Sequence, residues 1–239
     1  MEKLIYSLWQ GSQPSADAFR DDLLEQLAPG LARLPGVRGI RLAVADSAVA
    51  PAAGRRLESH APVPGAVLSL WVDFAGAAPA WEPLLDRHVS RRAAYLVVEA
   101  EPLVSAQLHP AGSGERVHGM CQVVFLRKPA QLEQKQWLTI WQGSHTAVAI
   151  ETQSTFGYRQ NVVAQTLGED TVYFDAIVEE NFPPEAMTSD HAFYATGGDD
   201  DLLQQRMSAM MGSCARFIDF EHIDVIPMSE YLIRTPAAP

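Results

Sequence analysis

Residues 4–44, LIYSLWQGSQPSADAFRDDLLEQLAPGLARLPGVRGIRLAV, and residues 122–162, QVVFLRKPAQLEQKQWLTIWQGSHTAVAIETQSTFGYRQNV, lie on each other without a gap at a spacing of 118 residues. Leu4-Ile5-Tyr6-Ser7-Leu8 falls on Gln122-Val123-Val124-Phe125-Leu126. Phe19 falls on Trp137, Leu23 on Trp141, and Gly39-Ile40-Arg41 on Gly157-Tyr158-Arg159. Few positions are identical. The correspondence rests on the order and length of elements, which a repeated unit keeps after its side chains diverge.

Outward from these stretches, each half reads strand, helix, strand, strand, helix, strand. In the first half strands are expected over residues 4–9, 37–45, 67–74 and 94–101, with helices over 16–32 and 79–90. Leu34-Pro35-Gly36 punctuates the chain after the first helix, and residues 49–65 read as an extended loop. In the second half strands are expected over 120–128, 158–166, 172–182 and 220–226. Its long helix, residues 131–152, carries Leu132, Trp137, Ile140, Trp141, Val148 and Ala149 as a stripe at i, i+3, i+4 spacing. Asp199-Asp200-Asp201 reads as the negatively charged start of a helix over 202–211 rather than a calcium loop, because no EF-hand spacing follows. Trp9, Trp71 and Trp81 read as core, and Arg87, Arg91 and Arg92 as a solvated basic patch.

A βαββαβ unit is the ferredoxin-like arrangement, a four-stranded antiparallel sheet with both helices on one face. The expected fold class is therefore α+β: two ferredoxin-like repeats, residues 1–105 and 120–235, joined by a linker at 106–119. Packed sheet to sheet, they make a pseudo-dimeric α/β barrel with a cavity between the sheets.

The chain has 239 residues, 47% of them hydrophobic and 20% charged, enough apolar material for a sizeable core. Its net charge of −11 repels phosphate backbones and anionic lipid surfaces, so nucleic acid and membrane are not expected partners. The charge is uneven: residues 1–119 hold 11 basic against 13 acidic side chains, residues 120–239 hold 7 against 16. The start, MEKLIYSLWQ, does not read as a signal peptide, and Cys121 and Cys214 read as buried thiols, so the expected location is cytoplasmic.

From residue 120 onward the chain resembles the EthD family of the dimeric α/β-barrel group. The resemblance is carried by Trp141 and His145, by Gly157-Tyr158-Arg159-Gln160-Asn161, and by Phe174-Asp175-Ala176-Ile177-Val178-Glu179. Asp219 before the last strand and Ser229-Glu230-Tyr231-Leu232-Ile233 after it complete the pattern. The first half has Leu27 where the second has His145, and Ile40 where the second has Tyr158, so family function is expected in the second half alone. The resemblance implies a barrel fold and a small-molecule ligand; related barrels include cofactor-free monooxygenases, decarboxylases and cyclases.

Among the residues, His145 is the candidate acid or base, since an imidazole moves protons near neutral pH; its alternative is a helix histidine with one satisfied hydrogen bond. Tyr158 is the candidate oxyanion partner. Asp175 and Glu179, four apart on one strand, are the candidate basic or orienting carboxylates. Trp141, Arg159, Asn161 and His222 are candidate substrate contacts. Antiparallel pairing brings Arg159 near Glu179, either in a wet cavity or as a pair that only holds the sheet. No resident cofactor or metal is expected, because the seven histidines are scattered and no HExxH, P-loop, GxGxxG or GxSxG is present.

Two functions stay open at this point. One is a cofactor-free enzyme performing decarboxylation, cyclisation or tautomerisation on an apolar carbonyl- or phenol-bearing metabolite. The other is a non-catalytic binding or accessory protein of a degradation or biosynthesis pathway. A haem-binding barrel ligated by His145 or His222 is a third idea. A homodimer is the expected assembly.

Overall fold

In the computed structural model, which describes residues 1–168 and 171–236, eight strands close into one antiparallel ring. The strands are β1 (Glu2–Gln10), β2 (Val37–Val44), β3 (Leu57–Glu58), β4 (Ala66–Val72), β5 (Val89–Leu103), β6 (Met120–Leu126), β7 (Gly157–Leu167), β8 (Ala176–Phe182) and β9 (Ile223–Arg234). The ring runs β2-β4-β1-β5-β7-β8-β6-β9 and returns to β2, while the two-residue β3 pairs only with the start of β9. Each half contributes four strands in one order, β5-β1-β4-β2 and β9-β6-β8-β7. The halves meet at two seams, where Glu99 faces Asn161 and Ala43 faces Glu230.

Helices cover the outside. The first half has α1 (residues 16–32) and the short α2 (Glu82–Leu85). The second has α3 (residues 134–152), α4 (Asp190–Phe193) and α5 (Asp200–Cys214). Side chains start each long helix. Ser15 accepts from Ala18 N at 3.1 Å, Glu133 and Gln136 form a capping box, and Asp199 accepts from Leu202 N at 2.9 Å. Both α1 and α3 widen into a π turn, at Leu23–Leu27 and Trp141–His145, 118 residues apart. Such turns push a side chain out of the regular stripe and recur at functional sites.

Strand alternation sorts the side chains into two layers. Outward residues pack under the helices: Leu4, Tyr6, Ile40 and Leu68 with Leu23 and Leu27 in the first half, Val124, Tyr158 and Val178 with Trp137 and Trp141 in the second. Inward residues fill the barrel. Tyr95, Phe125 and Phe174 pack as tilted rings with centroids 5.3–6.4 Å apart, and Ile5, Val67, Val123, Ile177 and Ile226 pack around them. The expected cavity between the sheets is thus corrected: side chains fill its middle, about 20 Å³ stays free near Trp9, His60 and Phe174, and an open depression of about 380 Å³ lies at the opposite mouth against Lys3, Trp71 and Glu99.

Element boundaries also differ. β9 runs from Ile223 to Arg234 instead of stopping at 226, since Pro227 sits opposite Gln122 without ending the strand, and Ser229–Ile233 lie within it. β8 starts at Ala176, so Asp175 precedes the strand. The second helix of the first half shrinks to α2, because Pro79 and Pro83 break the run into a 3₁₀ turn and one helical turn. The expected loop after β2 holds a 3₁₀ turn, Ser47–Arg55, whose Val49 and Ala52 pack on Met120, Phe182, Ala186 and Phe193 of the second half. Among the described residues no helix is long and apolar enough to cross a membrane.

Candidate functional site

The candidate site lies outside the barrel, between the outward face of the second half's strands and helices α3 and α5. It is a cavity of about 290 Å³. Its floor is Val124, Leu126, Val178, Ile223 and Val225, and its roof includes Trp141, His145, Met210, Cys214 and Phe217. Across the floor runs a polar row set by strand register: Gln122 of β6 faces Glu180 of β8, and Glu180 faces Tyr158 of β7. The equivalent space in the first half is apolar core, with Leu27 and Ile40 clustered with Trp81.

Neighbours hold Trp141, Tyr158 and His145. The Trp141 indole N–H donates to the Tyr158 oxygen at 3.1 Å, leaving the tyrosine's own proton to donate elsewhere. Trp141 lies parallel to Phe217, and Trp137 donates to the Phe217 carbonyl at 3.0 Å, so the roof is rigid. His145 Nδ1 lies 2.9 Å from Ser213 Oγ on α5. The π turn places Trp141 and His145 on the same buried side.

Burial sets the protonation states. It pushes the Glu180 carboxyl up to about 7, with no cation opposing the shift. It pushes His145 down to about 4, aided by Arg216, so the imidazole is neutral at pH 7. It raises Tyr158, with Glu180 adding to the effect, and takes the Cys214 thiol up to about 12. The group that titrates near neutrality is therefore Glu180, and not His145.

His145 gives a stability prediction. Its folded value lies below the ordinary 6.5, so the unfolded chain takes up the proton first as pH falls. The contribution is complete above pH 6.5 and is lost toward pH 4, up to about 3 kcal/mol. His145→Gln is expected to remove that acid-side loss, read from urea midpoints between pH 4 and 7.

Of the residues singled out in the sequence, Trp141, His145 and Tyr158 share this cavity. Arg159, Asn161 and Glu179 point the other way, into the barrel. There Arg159 pairs with Glu230 at 2.7 Å and Glu179 at 3.4 Å, and Lys3 reaches Asn161 at 2.8 Å and Glu179 at 3.3 Å. Burial would raise Glu179, but Lys3, Arg159 and Arg41 overcome it and hold the carboxylate below its ordinary range. Asp175 accepts from Lys128 N at 2.9 Å and Tyr173 OH at 2.6 Å, apart from Glu179. His222 precedes β9, its Nδ1 3.4 Å from His60 Nε2, while His60 Nδ1 is 3.1 Å from Asp224.

Glu180, Gln122, Tyr194 and Cys214 line the cavity without having been singled out, as does Arg55 from the first half. Strand parity could have found Glu180, since Tyr158 and Arg159 face opposite ways and so do Glu179 and Glu180. No comparable signal marks Arg55. A larger depression of about 440 Å³ by Asp17, Asp46 and Arg56 is less apt for chemistry. Its carboxylates are already engaged, Asp17 by Ser47 N and Asp46 by Arg20, Ser229 and Tyr231. Among the described residues no group of three or more His, Cys, Asp or Glu is placed to hold a metal ion. A porphyrin exceeds a cavity at the small end of the ligand-pocket range.

No sequence-family profile matches the chain, and no curated protein sequence matches it. Solved structures do. An anthrone oxidase-like protein superposes with a TM-score of 0.57 at 9% identity, over 99% of this chain and 95% of that one. A candidate monooxygenase from Lactobacillus acidophilus gives 0.50 at 8%, over 100% and 97%. A candidate chlorite dismutase gives 0.48 at 11%, over 97% and 95%. These likenesses show the fold alone, a closed antiparallel barrel with helices outside.

Proposed function

We propose that this chain is an EthD-like, cofactor-free enzyme that moves a proton on an apolar carbonyl- or phenol-bearing small molecule. In this reading it is built from two ferredoxin-like units, residues 1–105 and 120–235, of which only the second keeps a site. The shared strand order and the π turns 118 residues apart support the duplication.

The observation that carries the reading is the Glu180 carboxyl, opposite Tyr158 in the strand register and pushed up to about 7 by burial, in a cavity lined mainly by apolar side chains. A general base works best when its pKa lies near the working pH. The Glu180 carboxylate takes the proton from a carbon next to the ligand carbonyl. The C–H electron pair moves onto the carbonyl oxygen, and the resulting enolate or phenolate accepts a hydrogen bond from Tyr158, which Trp141 orients. His145 stays neutral and shapes the wall. Tautomerisation ends when Glu180 returns the proton elsewhere on the ligand; decarboxylation and cyclisation pass through the same stabilised anion. In an anthrone the acidic methylene lies across the central ring from the ketone and is conjugated with it, so loss of its proton likewise places the charge on the carbonyl oxygen, and the name of one structural neighbour fits this chemistry.

The test is exchange of the anthrone methylene protons in deuterated buffer without oxygen, followed by proton NMR. The protein is expected to accelerate exchange on the order of 10²-fold over buffer, the usual range for one positioned base. Anthrone that binds without accelerated exchange would instead make the chain a non-catalytic binding protein.

A further inference from the structure

Arg55 is the cation that lines the cavity, and it comes from the half of the chain without a site. Its 3₁₀ turn is fixed by Asp46 at the start and by Val49 and Ala52 packing on the second half. The guanidinium lies 4.3 Å over the Phe193 ring, its Nε donates to the Ala186 carbonyl, and its Nη2 donates to Asp190 at 3.0 Å. Two of five N–H groups are thus used, and the rest remain for a ligand. Asp190 is 57% exposed, so water screens its hold, whereas the Arg55 side chain is only 15% exposed. The surroundings add positive charge: Arg206 donates to the carbonyl of Tyr194, a cavity residue, and Arg216 is close enough to lower His145. This is notable in a chain of net charge −11.

We propose that the ligand is an aromatic or otherwise apolar carboxylic acid whose carboxylate pairs with Arg55 while its body lies over Val124 and Val178. The planar guanidinium fork matches a carboxylate, and its fixed position makes Arg55 the specificity-determining residue of the site. The assignment rests on the cavity being a ligand site, as read above.

The experiment compares 2-naphthoate with neutral 2-naphthamide by quenching of tryptophan fluorescence at pH 6, where Glu180 is mostly protonated and naphthoate is ionised. Naphthoate is expected to bind about tenfold more tightly than naphthamide, the scale of one charge-assisted pair. Arg55→Gln should abolish that preference, read as the ratio of the two affinities in the same variant. Asp190→Asn, an exposed change that keeps Arg55 in place, should tighten naphthoate about threefold and leave naphthamide alone. If naphthamide binds and naphthoate does no better, or if the preference survives Arg55→Gln, the Arg55 assignment falls and the cavity reading stands. If neither probe binds, both fall.

Discussion

Glutamine in place of Glu180 is expected to make the protein more stable above pH 7 while abolishing accelerated proton exchange. Burial holds the folded carboxyl at about 7, against an ordinary 4.5. The folded chain therefore keeps a proton that the unfolded chain releases between those values. For this group stability is greatest below pH 4.5, falls as pH rises through 7, and is flat above. Each pKa unit corresponds to about 1.4 kcal/mol. Glu180 is only partly buried, so solvent screening reduces the shift's full worth and a net cost of about 1–2 kcal/mol at pH 8.5 is the reasonable scale. Glu180→Gln should recover that amount at pH 8.5 and little at pH 5, measured as urea midpoints. His145 pulls stability the opposite way over the same acid range, so the wild-type profile is flattened and the substitution exposes the histidine's slope. A base kept at a cost in stability is the usual trade at a reactive site. Equal midpoint changes at both pH values would contradict the assignment.

Arg159→Leu is expected to cost about 3–5 kcal/mol, the scale for removing one member of a buried ionic network. Arg159 is fully buried and joins Glu230 to Glu179 and, at 3.7 Å, to Glu101. Glu230 keeps Arg41 at 3.1 Å and Asn181 at 2.6 Å, and Glu179 keeps Lys3, but two inward carboxylates then share less positive charge. Adding Glu230→Gln should return part of the loss, because it removes the uncompensated charge. That recovery, seen in urea unfolding of the double variant, distinguishes electrostatic loss from a packing defect. In the intact protein Glu179 and Glu230 are both held below their ordinary range. Their contribution is full above about pH 4.5 and is lost as pH falls through the lowered values.

The ring of strands was legible because strand alternation and the matching order of elements at a 118-residue spacing can both be read along the chain. The pairing of Arg159 with Glu179 was legible for the same reason, and the strand register places them opposite each other. Which face holds the cavity was not. Tyr158 and Glu179 were grouped into one site although a one-residue offset on paired strands sends them to opposite layers; Glu180 is the carboxylate that Tyr158 meets. Whether the inner or the outer layer fills depends on side-chain volumes contributed by both halves, and Tyr95, Phe125 and Phe174 fill the inner one. Arg55 reaches the site through packing of its turn against residues more than sixty positions away, which no local pattern encodes.

The most direct test is a titration of glutamate side-chain carboxyls by carbon-13 NMR, comparing the native chain with Glu180→Gln. One resonance should titrate near pH 7 and vanish in the variant, with its midpoint moved by bound anthrone. If every glutamate titrates below about pH 5, Glu180 is an ordinary carboxylate and the proposed base does not exist.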